Sequence, residues 1–366
     1  MDVSLKPIGE QVVVITGASS GIGRVTAKEL AKHDARVVLA ARNEHDLASA
    51  VTEIRDQGGR AVCQVCDVSD PAQVDALGDR AVREFGTIDT WVNNAGVGLY
   101  GRCTEVPIAD MRRQFDVNYW GQVHGMLTAV KHLRQHGGAI VNVASALADR
   151  AIPLQGNYCA TKHAIKAFTD SLRMELEADG VPISVTLVKP GSIDTPLFQK
   201  AKTFMGVEPR PIPPVYAPDV VAEVILHAAQ HAVRDVIVGG MGKIVSVGEK
   251  TSPRLTDKYM ERSSLESQKG DTAASADRPA NLYSPLPQDG GEGGGFSGRV
   301  RKWSAYTEAA LHPRVGMGVL AGAGVTLAAA ARIVRRRRGS IVRGGSPESG
   351  ARRKLTSDGQ PPESSR

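Results

Sequence analysis

Tyr158 stands four residues before Lys162, with Ser145 thirteen residues ahead of the tyrosine. A spacing of four puts the phenol and the ammonium on one helical face. An ammonium beside a phenol favours the phenolate, lowering a pKa that starts near ~10. Such a pair can give up and take back a proton near neutral pH. Well upstream lies a glycine turn, Thr16-Gly-Ala-Ser-Ser-Gly-Ile-Gly23. It follows Gln11-Val-Val-Val-Ile-Thr16, a β-branched run that reads as a buried strand, and precedes Arg24 to Lys32, which has helical spacing. Strand, glycine turn and helix are the context a phosphate-binding turn requires. Glycines let the backbone approach a pyrophosphate, and the helix N-terminus offers free N–H groups and positive potential. The spacing here is Gly-x-x-x-Gly-x-Gly, not the Gly-x-Gly-x-x-Gly of the standard Rossmann fingerprint. A proton-transfer pair beyond a dinucleotide turn implies nicotinamide-dependent chemistry on a carbonyl or an alcohol.

The elements that must position these residues follow from the apolar pattern. Besides the first strand, Arg36 to Ala41, Arg60 to Cys66, Ile88 to Val92, Ala139 to Ala144, Ile183 to Val188 and Asp235 to Val238 read as short apolar strands. Amphipathic stretches alternate with them: Glu44 to Gln57, Pro71 to Phe85, Ile108 to Gln135, Tyr158 to Ala178 and Pro218 to Gln230. This alternation predicts an α/β, Rossmann-like, doubly wound sheet of seven parallel strands with helices on both faces. A ligand is expected beyond the carboxyl ends of the strands, where Gly17, Asp67, Asn93, Ser145 and Pro190 each follow a strand.

Taken in order, Thr16 to Gly23, Asp67-Val68, Asn93-Asn-Ala-Gly96, Asn118, Ser145, Tyr158-x-x-x-Lys162, Pro190-Gly191 and Thr195 resemble the short-chain dehydrogenase/reductase family, with a core of about 250 residues. The resemblance spans residues 11 to 240, about two thirds of the chain. It implies that Tyr158 is the general acid or base. Lys162 would lower its pKa and hold the nicotinamide ribose, and Ser145 would bond the substrate oxygen. Asn118 would anchor a water linked to Lys162. It implies further that Gly17, Ser19, Ser20, Gly21, Ile22 and Gly23 hold the pyrophosphate side. Asp67 and Val68 would border the adenine, Asn93, Asn94, Ala95 and Gly96 would line the cofactor and stabilise the sheet, and Pro190, Gly191 and Thr195 would cradle the nicotinamide. The helices near 108 to 135 and 158 to 178 are expected to pair between copies in a homodimer or homotetramer.

Cofactor choice is legible in the residues themselves. An NAD-selective site places an acid about 20 residues beyond the glycine turn. Here the second strand ends Leu39-Ala-Ala-Arg42, with no carboxylate before Glu44. Arg42 can neutralise a 2′-phosphate through a bidentate contact, with Ser19 and Asn43 adding hydrogen bonds. NADP(H) is therefore expected over NAD.

The small-molecule substrate leaves fewer traces. Leu147, Leu154, Gln155 and Tyr100 are the expected neighbours of its oxygen, and Phe198, Phe204 and Met205 lie in an expected lid. These residues point to an apolar carbonyl compound, with Lys200 and Lys202 the candidates for gripping a carboxylate. Cys63 and Cys66 form a Cys-x-x-Cys, but no second pair completes a metal site, and the two read as small buried strand residues. Cys159, beside the tyrosine, is expected to respond to thiol reagents. No signal peptide is read before the first strand, so a cytoplasmic enzyme is expected.

The chain carries a net charge of +6, and from Arg332 onward 10 Lys or Arg face 3 Asp or Glu. That tail nets +7 and everything before it −1, so no basic surplus on the catalytic part argues for nucleic acid. The expected layout is a catalytic domain over 1–250, an added helix over 251–268, a Gly-rich flexible linker over 269–299, a membrane-associated helical segment over 300–338 and a disordered basic tail over 339–366. The uncharged run 315–331 is 17 residues long, at the lower edge of what spans a bilayer, and arginines follow it to 338. A helix lying on the membrane surface fits these charges better than a span. The alternative function is a non-catalytic dinucleotide sensor or scaffold that uses this tail to meet a partner. An intact set of Tyr158, Lys162, Ser145 and Asn118 argues for catalysis instead.

Overall fold

Apolar strands with no polar face must lie between two helical layers. The computed structural model, which describes residues 3–287 and 290–312, meets that requirement. Parallel strands β1 (Val12–Thr16), β2 (Arg36–Ala41), β3 (Arg60–Val65), β4 (Thr90–Asn93), β5 (Gly138–Val143), β6 (Ile183–Pro190) and β7 (Asp235–Val238) form one sheet of seven. They lie in the order β7-β6-β5-β4-β1-β2-β3. The helices are α1 (Gly21–Lys32), α2 (Glu44–Asp56), α3 (Pro71–Phe85), α4 (Ile108–Phe115), α5 (Gly121–Leu133), α6 (Gly156–Ala178), the single turn α7 (Leu197–Lys200), α8 (Asp219–Gln230), α9 (Gly240–Thr251), α10 (Pro253–Ser267) and α11 (Ala305–Leu311).

Strand alternation sorts the core into two layers. Val12 and Val14 pack with Trp91, Leu77, Met126 and Ile165 under α3, α5 and α6, whereas Val13 and Ile15 pack with Leu30, Leu47 and Ile225 under α1, α2 and α8. Local chemistry fixes the helix ends. The Asn43 side chain accepts from the Asp46 amide to start α2, and Asp70 with Pro71 starts α3, which stops at Gly86 with φ +83°. The predicted continuous helix from Ile108 to Gln135 is interrupted: a π-helical turn over Asp116–Trp120 joins α4 to α5 and carries Asn118. Such turns add one residue and re-aim the side chains that follow. Trp120, Leu127 and Met174 are exposed on the helices expected to pair between copies.

The part after β7 differs from the predicted layout. Two helices, α9 and α10, stand where one was expected, and residues up to His312 pack as one unit. The predicted linker lies along the core. Lys269–Ala273 pairs antiparallel with Val207–Pro209, Leu282 is buried in the core under α3 and α5, and Leu311 of α11 joins the opposite layer. Among the described residues no helix is long and apolar enough to cross a membrane. The run 315–331 and the tail to 366 fall outside the described residues.

Behind the site, a chain of buried amides ties the central strands together. Trp91 Nε1 donates to Asn93 Oδ1 at 2.9 Å, Asn93 Nδ2 to Asn142 Oδ1 at 2.9 Å, and Asn142 Nδ2 to Thr169 Oγ1 at 3.0 Å. Gly125 of α5 sits directly over this chain, where an added Cβ would lie 1.9 Å from Asn93 Oδ1. Gly125→Ala is therefore expected to destabilise the fold by about 1–3 kcal/mol, the usual cost of overpacking. Urea unfolding would report it, and an unchanged midpoint would contradict this packing.

Candidate active site

The β1–α1 turn is built by close backbone approach. Gly17 has φ +68°, and a Cβ there would come within 2.7 Å of Ala95 Cα; a Cβ on Gly23 would lie 2.3 Å from the Gly17 carbonyl oxygen. Asn94 locks the turn from β4, its Nδ2 donating to the Thr16 and Gly17 carbonyls at 3.0 and 3.1 Å. At its start α1 has no acidic residue in its first turn and no side-chain cap, which leaves its N-terminal field directed at the groove. A cavity of about 540 Å³ runs from this turn to Tyr158. Most residues predicted for cofactor or substrate line it; Gly23, Asn93 and Asn118 stand behind its wall, and Leu154, Lys202, Phe204 and Met205, expected on the substrate side, are not part of its lining.

At one end stand Arg42 and Asn43, as the sequence places them. Asp67 is half-buried; burial opposes its charge, but bonds from Ser69 and the Arg113 guanidinium prevail and lower its pKa. One cation escaped sequence reasoning. Lys200, expected near the substrate, is buried with its Nζ donating to Ser20 Oγ at 2.8 Å, beside the glycine turn. Lys202 is likewise no substrate clamp in this fold, because it pairs with Asp110 at 2.7 Å.

At the other end Ser145, Tyr158 and Lys162 converge. Ser145 follows β5 and accepts from the Leu147 amide, while Tyr158 and Lys162 share one face of α6. Lys162 Nζ lies 5.5 Å from the Tyr158 ring centroid and donates to the Val143 carbonyl at 3.2 Å. The electrostatics depart from the expected lowering of the tyrosine. Burial pushes the Tyr158 phenol well above its ordinary value, the Cys159 thiol adds to this, and the hydrogen bond with Ser145 opposes it only in part. Burial also lowers Lys162, to about 8. Low dielectric disfavours both charged forms, and the ammonium sits against the ring rather than on the hydroxyl. Asn118 Oδ1 accepts from the Val97 amide at 2.8 Å and its Nδ2 donates to the Val97 carbonyl at 3.0 Å, so the side chain pins the cavity wall.

Toward the substrate side the wall is apolar. Leu147 and Tyr100 line it as predicted, joined by Ile152, Ile212, Met241, Val245 and Met260. Met241, Val245 and Met260 come from α9 and α10, whose sequences carry no motif, only apolar residues at helical spacing. Gln155 lines the cavity too, but its Nε2 is committed to Gln268 Oε1 at 2.7 Å, and Gln268 in turn holds Pro153. That amide pair fastens the end of α10 to the loop ahead of α6. Leu154 in this loop has φ +66°, an uncommon conformation for leucine that the surrounding bonds hold in place. Cys159 is buried and its thiol raised to about 11, so the expected sensitivity to thiol reagents has no support in its surroundings.

The comparisons with known proteins agree with this geometry. A family profile described as short chain dehydrogenase matches residues 11–205. The uncharacterized oxidoreductase YxnA of Bacillus subtilis (strain 168) is 41% identical over 327 residues, covering 87% of this chain and 90% of that protein. The 11-beta-hydroxysteroid dehydrogenase A of Sesamum indicum is 40% identical over 194 residues, 52% of this chain and 55% of that protein. Among solved structures, an alcohol dehydrogenase from the archaeon Thermococcus sibiricus, complexed with 5-hydroxy-NADP, superposes with a TM-score of 0.55 at 26% identity, covering 62% of this chain and 95% of that one. Glycine turn, seven-stranded sheet and sequence likeness together establish that this chain belongs to the short-chain dehydrogenase family of nicotinamide-dinucleotide oxidoreductases.

Proposed function

We propose that the protein is an NADP(H)-dependent oxidoreductase that acts on a carbonyl or secondary alcohol of an apolar substrate, with Tyr158 as its general acid and base. The observation that carries this reading is one continuous cavity with Arg42 and the glycine turn at one end and Ser145, Tyr158 and Lys162 at the other. The residues present fit the dinucleotide. Glycines at 17 and 23 allow the close backbone approach that shapes the turn, and α1 aims an N-terminus without a side-chain cap at the groove. When bound, the nicotinamide supplies or accepts the hydride. Asn94, Ala95 and Gly96 line its path, Pro190, Gly191 and Thr195 border the nicotinamide end, and Lys200 sets a positive charge beside Ser20, where a pyrophosphate would lie. Arg42 faces the ribose end with no carboxylate at the close of β2 to favour a free 2′-hydroxyl. The NADP-type ligand of the Thermococcus enzyme supports that choice.

Ser145 and Tyr158 line the same end of the cavity, where both hydroxyls can meet one substrate oxygen. Near neutral pH Tyr158 holds its proton, and Lys162 is still charged below about 8. Tyr158 can thus donate its proton to a carbonyl oxygen, with Ser145 stabilising developing charge. The apolar wall supports a bulky hydrophobic substrate, in keeping with the hydroxysteroid named for the sesame relative.

Three expected outcomes test this reading. Arg42→Ala should weaken NADPH binding relative to NADH about tenfold to a hundredfold, the worth of one charge-assisted contact. A parent that binds NADH at least as tightly as NADPH, with no change in the variant, overturns the cofactor choice. Tyr158→Phe should cut turnover of a ketone panel about 10²- to 10⁴-fold while NADPH fluorescence titrations stay as in the parent. Binding without turnover in the parent across that panel would favour the sensor function. The third concerns Lys162, whose folded pKa of about 8 lies below its ordinary value of 10.5. Between those values the unfolded chain binds the extra proton, so stability rises with pH through this window and the burial penalty is fully present below it. Lys162→Met should accordingly be more stable than the parent at pH 7 by up to about 3 kcal/mol, and the gap should close toward pH 10.5. A gap independent of pH would mean that Lys162 is not buried as an ammonium.

A further inference from the structure

Residues 281–287 and 290–296 make a set of contacts that neither a linker nor a family core requires. Three groups that face the dinucleotide groove donate to backbone carbonyls of this segment. The Gly21 amide, at the N-terminus of α1, donates to the Gly291 carbonyl at 2.8 Å. Asn43 Nδ2 donates to the Leu286 carbonyl at 2.8 Å. Arg42 uses both terminal nitrogens, one on the Tyr283 carbonyl at 3.0 Å and the other on the Asn281 carbonyl. Gly21, Arg42 and Asn43 line the cavity, and so do Asn281 and Pro285 of the segment itself.

The segment is held at both sides of these contacts. Leu282 inserts into the core at 1% exposure, the Tyr283 hydroxyl donates to Asp110 at 2.8 Å, and Arg278 grips the carbonyls of Gln199 and Ala201. Farther on, Glu292 pairs with Lys28 at 2.6 Å, and the Gly294 and Phe296 amides both donate to Asp194 at 3.1 Å. The glycines make this approach possible: a Cβ on Gly290 would lie 2.7 Å from Asp46 Oδ1, and one on Gly294 would lie 2.4 Å from the Thr195 carbonyl oxygen.

We propose that residues 281–287 together with 290–291 form an intrasteric strap whose backbone carbonyls stand where phosphate oxygens of the dinucleotide would bind, so that cofactor and strap compete for Arg42, Asn43 and the N-terminus of α1. This inference rests on the cofactor assignment proposed above. A carbonyl oxygen is a neutral acceptor, and a phosphate oxygen is charged and makes the stronger bond to a guanidinium or a helix N-terminus. The strap is therefore a weak occupant that a phosphorylated ligand displaces, and the anchors at Arg278 and Asp194 keep it tethered beside the groove. Because only the open fraction accepts cofactor, the apparent affinity falls by that fraction. The device sets a threshold of NADP(H) concentration below which the enzyme stays closed.

The test uses the full chain and two variants outside the catalytic and cofactor-contacting residues. Leu282→Ala weakens the buried anchor, and Glu292→Lys turns the Lys28 pair into a repulsion. NADPH and NADH are titrated into all three proteins, and hydrogen–deuterium exchange of 281–291 is followed with and without NADPH. Competition requires both variants to bind NADPH more tightly, by about tenfold for a strap open one tenth of the time. It also requires exchange in 281–291 of the parent to rise when NADPH is added. Weaker or unchanged binding in the variants, or exchange that falls on adding NADPH, overturns the strap and leaves the cofactor assignment standing. Tighter binding of NADH than NADPH in the released variants, with exchange rising, supports the strap and overturns the 2′-phosphate assignment. No binding of either nucleotide by any of the three proteins overturns both.

Discussion

The site depends on how closely the backbone of α1 can approach the end of β1. The Gly17 carbonyl oxygen occupies space that any side chain at position 23 would need, and the Asn94 amide then bonds the two carbonyls that this crowding leaves facing β4. Closing this turn fixes the start of α1 against the loop that follows β4. That in turn sets the distance from the phosphate end of the groove to β5 and β6, from which Ser145 and Pro190 emerge. Substitution of either glycine would disturb the whole row of strand ends. The seven-stranded order places those ends side by side, so residues far apart in sequence share one wall.

The chemistry at the other end is governed by burial. Sequence reasoning pairs an ammonium with a phenol and expects the phenol to become acidic. The folded chain buries both groups, and desolvation raises the phenol and lowers the ammonium to about 8. Burial thus favours the neutral, protonated phenol and weakens the hold of Lys162 on its proton. Ser145 moderates the tyrosine through its hydrogen bond, and Asn118 contributes through Val97 by keeping the wall in place.

Much of this was legible in the sequence for physical reasons. The β-branched runs became the seven strands, because runs such as Val12–Thr16 have no polar face and fit only between two helical layers. The cavity gathered most of the motif residues because Gly17, Asp67, Ser145 and Pro190 each follow a strand, and α6 brings Tyr158 and Lys162 to the same row of strand ends. What stayed hidden depends on tertiary context. The π turn at Asp116–Trp120 leaves the helical pattern around it unbroken. The commitment of Gln155 to Gln268 joins residues more than a hundred positions apart, and no local spacing reports it. Lys200 was assigned to the substrate from its place after Thr195, yet α7 turns it back toward Ser20.

The Gly-rich stretch after α10 shows why composition alone misleads. Glycine is abundant in flexible linkers because it has many accessible conformations, and it is also the residue that permits two backbones to touch. Asp289-Gly-Gly-Glu-Gly-Gly-Gly295 fits either description in one dimension. In the fold, the glycines at 290 and 294 lie where side chains would strike Asp46 and the Thr195 carbonyl, and the amides at 294 and 296 find a carboxylate in Asp194. Ordering glycine costs more conformational entropy than ordering any other residue. The contacts made by Leu282, Tyr283 and Glu292, with those of Arg278 and Asp194, must offset that cost. A charged ligand arriving at the same donors can shift that balance.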